Sequence, residues 1–475
     1  MAVGPFITLV LAAFLPTPTG PRLRERAAGT LGRHRHAVAA APPPRPPPDP
    51  EHAPAPPVGA DAEGHVFVMH GDVRTVLADA VLMPTRNVLN SKWFPDGPPS
   101  RAQPPGRYDF TDETRVIRLN GTADDAPHVW LSHLDGRFAP AQAIRSSGRP
   151  GLDWFLEAAD QFLRGASAQL RGARAPLGGR PKHLLAMPVV GTGRGGARGS
   201  SGRMIARLLQ LLNSFVEDSA GAVDVVLVVK STPMFSAAQA HRRQMQLGGS
   251  ARWEALLGPR LSAAASELAS RAVADELSLF IGAGVSVGAG LPQWQQLLEA
   301  MATRPDVPIS AAEIAELTQL ELPDQAAVLC SRLGARADAG GDASAAAMRE
   351  GEQALQRIVV DELGSRFHSL AHGLLAGLPV TSVVTTNYDR LFERAWAAAG
   401  VDFNVLPYQS RPDADRFVLK LHGDLGAPED IVLTRSQMRD NLEQRQALGG
   451  ILQARAHRPS LSTSWPPCDV AIASL

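Results

Sequence analysis

Short apolar runs alternate with longer segments of helical period over most of this chain. Residues 277–281 form one such run, of the length and composition of a buried parallel strand. A glycine-rich turn follows, with Gly282, Gly284, Gly288 and Gly290 around Ser286, and a helix is predicted from Trp294, just after Pro292. Upstream, residues 66–69, 80–83, 114–119, 128–131, 183–190 and 223–230 read as strands. Residues 152–170 and 204–215 read as amphipathic helices between them. Downstream, residues 311–335, 353–362 and 366–375 have helical character, and 380–385 and 416–421 are two more buried strands.

This alternation predicts two α/β units joined by helix. Residues 64–232 form the first unit, 233–272 a helical connector, and 273–453 the second unit, whose helical insertion caps the sheet edge. Residues 1–60 are rich in Pro, Ala and Arg, cannot bury a core, and are expected to be a disordered extension. Their apolar start has no Lys or Arg before it and no small-x-small site soon after. An extension or an upstream-set start codon is therefore favoured over a secretory signal. Residues 454–475 are Pro/Ser-rich and expected to be irregular. That leaves the last strand of the second sheet missing and its edge exposed.

Composition narrows the function classes. With 44% hydrophobic and 20% charged residues, the chain of 475 is that of a globular protein of two or three domains. Zero formal net charge gives no strong signal for nucleic acid or an anionic membrane. Two cysteines, Cys330 and Cys468, exclude a disulfide scaffold and a cysteine zinc ribbon, and suit a reducing cytoplasm. No apolar run is long enough to span a bilayer.

Candidate chemistry sits at strand ends. In parallel α/β sheets ligands bind beyond the carboxyl ends of the strands. In the second unit those ends carry the glycine turn, then Asn387 and Asp389, then His422-Gly423-Asp424. The plain alternatives are a tight turn, helix caps at Asn387 and Asp389, and a structural histidine. Asp424 either orients His422 or caps the following loop. Three polar strand ends in this order favour a site over coincidence. In the first unit, Gly71-Asp72-Val73 leads to Asp79 and Asn87. The loop Gly191-Thr192-Gly193-Arg194-Gly195 lies between a strand and a helix, where backbone amides suit a pyrophosphate.

GAGVSVGAGLP, TTNYD and KLHGD together resemble the sirtuin-type, Rossmann-like NAD-binding fold, as found in sirtuin-like domains of bacterial antiviral-defence proteins. The resemblance implies that Gly282, Ala283, Gly284 and Ser286 cradle the NAD pyrophosphate, with Thr386 and Gly423 beside the cofactor. It further implies that Asn387 and Asp389 sit at the nicotinamide ribose and that His422 is the general base. The first unit resembles the macro domain, an ADP-ribose-binding module. That implies an ADP-ribose-type ligand at Asp79, Asn87, Gly191, Thr192, Gly193 and Gly195.

Sirtuin deacylases carry a four-cysteine zinc module, and the two cysteines here are not a Cys-x-x-Cys pair. The expected reaction is therefore NAD hydrolysis to ADP-ribose and nicotinamide. NAD is then the substrate, no metal is needed, and the macro-like unit regulates the activity in anti-phage defence. A catalytically impaired NAD/ADP-ribose sensor is the alternative, with a protein deacylase or ADP-ribosyltransferase behind it. Proteins of the family the chain resembles often form homo-oligomers, and the resemblance implies one here.

Overall fold

A computed structural model describes residues 64–85, 110–111, 113–119, 125–133, 151–192, 198–219, 223–247, 252–337, 345–444 and 460–463. The first part contains strands β1 (Val66–His70), β2 (Ala80–Thr85), β3 (Val116–Arg118) and β4 (His128–His133), helix α1 (Leu152–Leu170), β5 (His183–Pro188), α2 (Ser201–Asp218), β6 (Val223–Val229) and α3 (Thr232–Leu247). The second contains α4 (Arg252–Val273), β7 (Ser278–Ile281), the one-turn helix α5 (Gly284–Val287), α6 (Trp294–Ala302), α7 (Ala311–Leu317), α8 (Leu322–Ala337), α9 (Ala345–Glu362) and α10 (Leu370–Ala376). It continues with β8 (Ser382–Thr385), α11 (Leu391–Ala398), β9 (Phe403–Leu406), β10 (Arg416–Lys420), α12 (Arg435–Gln444) and β11 (Ser460–Thr463).

The strands form two sheets. The first runs β1-β6-β5-β2-β4-β3, parallel except where β3 meets β4. The second runs β11-β7-β8-β10-β9 and is parallel throughout. This is the α/β class with a Rossmann-like second sheet. Residues 454–475 were expected to lack a strand, yet β11 pairs with β7 along its whole length. Serine and threonine weaken the apolar signal that marks a buried strand. The open edge of β7 supplies the partner that makes the segment a strand.

Period-two alternation sends the two faces of the first sheet into different cores. Val66 and Val68 of β1, with Val225 and Leu227 of β6, pack against α1 and α2 through Trp154, Phe155, Phe162, Leu208 and Leu212. Phe67, Met69, Val226 and Val228 face the other way. They share a cluster with Leu370 and Leu374 of α10, Phe392 and Trp396 of α11, and Leu279 and Ile281 of β7. One face of the first sheet is thus covered by helices of the second part. A third cluster joins α6, α8 and α9 through Leu298, Met301, Leu329 and Val359. Tyr388, Ile431 and Leu433 join it from the loops at the strand ends. These helices form the insertion that roofs the sheet edge.

Trp396 is fully buried, its ring 4.9 Å from that of Phe392 and 5.4 Å from that of Phe403. Trp396→Ala is expected to cost about 3–5 kcal/mol, read as a lower denaturation midpoint. A loss under 1 kcal/mol would mean that the shared core is not built around this ring.

Candidate active site

Register brings the three motifs together. Ile281 of β7 and Lys420 of β10 both pair with Thr385 of β8, so the residues after them leave the sheet side by side. Thr385 ties the row: its hydroxyl donates to Ile281 O at 2.8 Å, and its carbonyl accepts from Leu421 N at 2.9 Å. The same hydroxyl accepts from Asn387 N at 3.0 Å, which turns the chain back over the sheet.

Above this row lies a cavity of about 300 Å³, lined by Ala283, Gly284, Ser286, Thr386, Asn387, Asp389 and His422 among the expected residues. Leu291, Gln293, Trp294, Leu297, Tyr388 and Leu363 add a mostly apolar wall. Gly282 and Gly423 do not line it. Gly423 has φ +106°, and a Cβ there would lie 2.5 Å from Asp430 O. Its role is to bring 430–431 under the loop, a position only glycine fits.

Ser286 is the hub. Its Oγ donates to Asp389 Oδ2 at 2.8 Å and accepts from Asn387 Nδ2 at 3.2 Å. Asp389 Oδ1 accepts from Leu391 N at 3.0 Å, so one oxygen anchors the start of α11 while the other holds Ser286. The capping reading thus accounts for one oxygen of this carboxylate, and the other is held by Ser286. Because the serine proton goes to Asp389, Asn387 must donate to the serine. Its amide oxygen is left for the cavity.

His422 is buried, and burial pushes its pKa down to about 4. The ring is therefore neutral at pH 7 and able to accept a proton. Asp424 takes the loop role, not that of orienting His422. It accepts from Arg390 Nε at 2.5 Å and from Gly426 N at 2.7 Å. Lys420, fully buried, donates to Asp389 O at 2.5 Å and lies 3.2 Å from Glu393 Oε1. It also lies 3.2 Å from Asp424 Oδ2, at ion-pair distance but without hydrogen-bond alignment. Burial alone lowers its pKa, but Glu393, Asp424 and Asp389 outweigh that and hold the ammonium above its ordinary value. The lysine thus clamps the backbone of the Asn387–Asp389 turn, a role its position inside an apolar strand did not suggest.

Of the residues expected at a first-unit ligand site, the described ones do not come together: Asp79 lies apart from Gly191 and Thr192. Asp79 precedes β2, and its oxygens accept from Leu177 N at 2.9 Å and Leu184 N at 2.7 Å. It is fully buried at the start of β5, whereas Gly191 and Thr192 follow the end of that parallel strand. Asp79 is corrected to a structural anchor at the opposite edge. Its buried charge is used to fix two backbone amides. Gly191 has φ +73°, and a Cβ would meet Phe155 at 2.7 Å, so the glycine serves close packing on α1. Asn87, Gly193 and Gly195 lie outside the described residues.

Sequence reasoning also missed Ser369, which caps α10 and lies 3.1 Å from Val285 O, and His372 of α10, whose Nε2 lies 3.5 Å from Ser286 Oγ. A polar Ser-x-x-His inside an apolar stretch was the available signal.

Strand-end loops thus bring a serine–asparagine–aspartate hub and a neutral histidine around one cavity at the carboxyl ends of a parallel sheet. Residues 381–462 match the family described as SIR2-like domain. The chain is similar to proteins named NAD(+) hydrolase ThsA. It is 27% identical over 170 residues to that of Cytobacillus dafuensis, covering 34% of this chain and 29% of the relative. It is 26% identical over 171 residues to that of Acinetobacter baumannii (strain 532279), covering 34% and 30%. The relative from Bacillus cereus (strain MSX-D12) is 26% identical over 168 residues, again covering 34% and 30%. The chain thus spans less than a third of the length of these curated relatives. Among the described residues no group of His, Cys, Asp or Glu suits a metal ion, and no helix is long and apolar enough to cross a membrane.

Proposed function

We propose that this protein is an NAD hydrolase that splits the nicotinamide–ribose bond, giving ADP-ribose and nicotinamide. The observation that carries this is the hydrogen-bonded set Ser286–Asn387–Asp389 beside neutral His422 in one cavity. The similarity to NAD(+) hydrolases over about a third of the chain supports it. In the reaction the bond from C1′ to the pyridine nitrogen breaks, and the nitrogen keeps the electron pair. Ribose C1′ becomes cationic in the manner of an oxocarbenium ion. The Asp389 carboxylate favours that charge. The Asn387 amide oxygen orients the attacking water, and His422 takes its proton. The glycine turn, through Ala283 and Gly284, holds the pyrophosphate side together with Thr386.

Regulation through the first unit belongs to the same proposal. Residues 75–77 run beside His368: Leu77 N donates to His368 O at 2.9 Å, and His368 N donates to Thr75 O at 2.8 Å. Thr75 Oγ1 lies 3.1 Å from His368 Nε2. A ligand at the β1 end of the first sheet, such as an ADP-ribose-type nucleotide, would act on α10 through this seam. In a cell the resulting NAD loss would serve anti-phage defence.

The test is nicotinamide release from NAD by the purified protein, with and without ADP-ribose-type nucleotides. Asn387→Ala is expected to lower turnover by roughly 10–100-fold, the loss of one or two oriented hydrogen bonds in the transition state. Wild-type turnover equal to that of the variant would remove the hydrolase reading. NAD bound but intact would establish the sensor alternative instead.

A further inference from the structure

Helix α10 brings a buried histidine to the back of the site. Ser369 N donates to His372 Nδ1 at 3.3 Å, and Ser369 Oγ lies 2.7 Å from the same nitrogen. A backbone N–H can only donate, so Nδ1 carries the lone pair. The neutral ring then holds its proton on Nε2. That nitrogen lies 3.5 Å from Ser286 Oγ, at the outer limit for a hydrogen bond. The Ser369 hydroxyl has one proton, and with the lone pair on Nδ1 that proton goes to the ring at 2.7 Å; Val285 O, 3.1 Å from the same oxygen, shows how closely the start of α10 sits on the residue before Ser286. Protons thus run one way, from His372 to Ser286 and from Ser286 to Asp389, with Asn387 donating into the same oxygen.

We propose that His372 is a positioning residue: its Nε2–H donates to Ser286 Oγ and commits the serine proton to Asp389, which leaves the Asn387 amide oxygen to the cavity. An acceptor at this place would reverse the chain. Ser286 would then donate to it, and Asp389 would lose its partner. The kinetic consequence rests on the NAD-hydrolase reading; the tautomer does not.

Two substitutions separate the ring nitrogens. His372→Gln places a donor near Nε2 and loses the Nδ1 acceptor. His372→Asn keeps a group near Nδ1 and loses the donor. Gln is expected to keep kcat within about threefold of wild type, while Asn lowers it about tenfold with KM within about twofold. Melting temperatures measured alongside separate positioning from loss of fold. Equal losses of kcat in both variants, in step with their melting temperatures, would overturn the proposal. Nitrogen-15 NMR of the histidine rings in wild-type protein at pH 7 is the second measurement. A proton on His372 Nε2 is expected, and a proton on Nδ1 would overturn the proposal without any assay. If wild-type protein leaves NAD intact, the hydrolase reading fails and the ring spectrum alone decides the role of His372.

Discussion

Replacing His422 with alanine is expected to lower kcat for NAD cleavage by about 10²–10⁴-fold with little change in KM. The ring lines the cavity beside Asn387 and Asp389, and its loss removes the proton acceptor. A histidine with pKa near 4 is a weak base, but the proton it takes is acidic. Water becomes a strong acid as it bonds to a cationic C1′, so a weak base at the right place suffices. The same pKa fixes the pH profile. His422 works as the neutral ring, so kcat/KM in wild type should stay flat from pH 7 to about 5 and fall as pH approaches 4. An acid limb centred near 6.5 would show that the ring titrates as an exposed histidine does, and would remove it as the buried base.

Acid is also expected to unfold this protein steeply. His368, His372 and His422 are all buried, and burial lowers their pKa values to about 4, about 3 and about 4. In the unfolded chain each returns to about 6.5. Below that value the unfolded state binds protons that the folded state refuses. Stability is therefore fully present above pH 6.5 and is lost as pH falls towards 4 and 3. Each pH unit in this window costs about 1.4 kcal/mol per histidine. From pH 7 to pH 5 the three together cost on the order of 5 kcal/mol, a large part of a typical domain's stability. Urea titrations at pH 7 and 5 measure it. A midpoint unchanged between the two would mean that these rings are not held neutral. His372→Asn should flatten the dependence, since it removes one of the three titrating groups.

The second sheet was legible because its strands end in residues that do not belong in a core. In Val383-Val384-Thr385 and Leu419-Lys420-Leu421 the apolar run stops where Asn387 and His422 begin, and parallel register sets the stops side by side. Strand β11 was not legible, because Ser460–Thr463 becomes a strand only through its partner β7. His372 was hidden for a related reason. It reaches Ser286 through the fold, and nothing in the spacing of the two residues links them. Asp79 misled because a carboxylate before a strand looks alike whether it faces a ligand or holds two backbone amides. The shared core was invisible too, since Phe67 and Met69 alternate in the same way whichever helix covers them.

That shared core ties the histories of the two halves together. A Cβ at Gly373 of α10 would lie 2.0 Å from Met69 Sδ of β1. A lineage that enlarges residue 373 has to move or trim the Met69 side chain at the seam where the first sheet meets the helix behind Ser286. Substitutions at 69 and 373 should therefore be inherited as pairs.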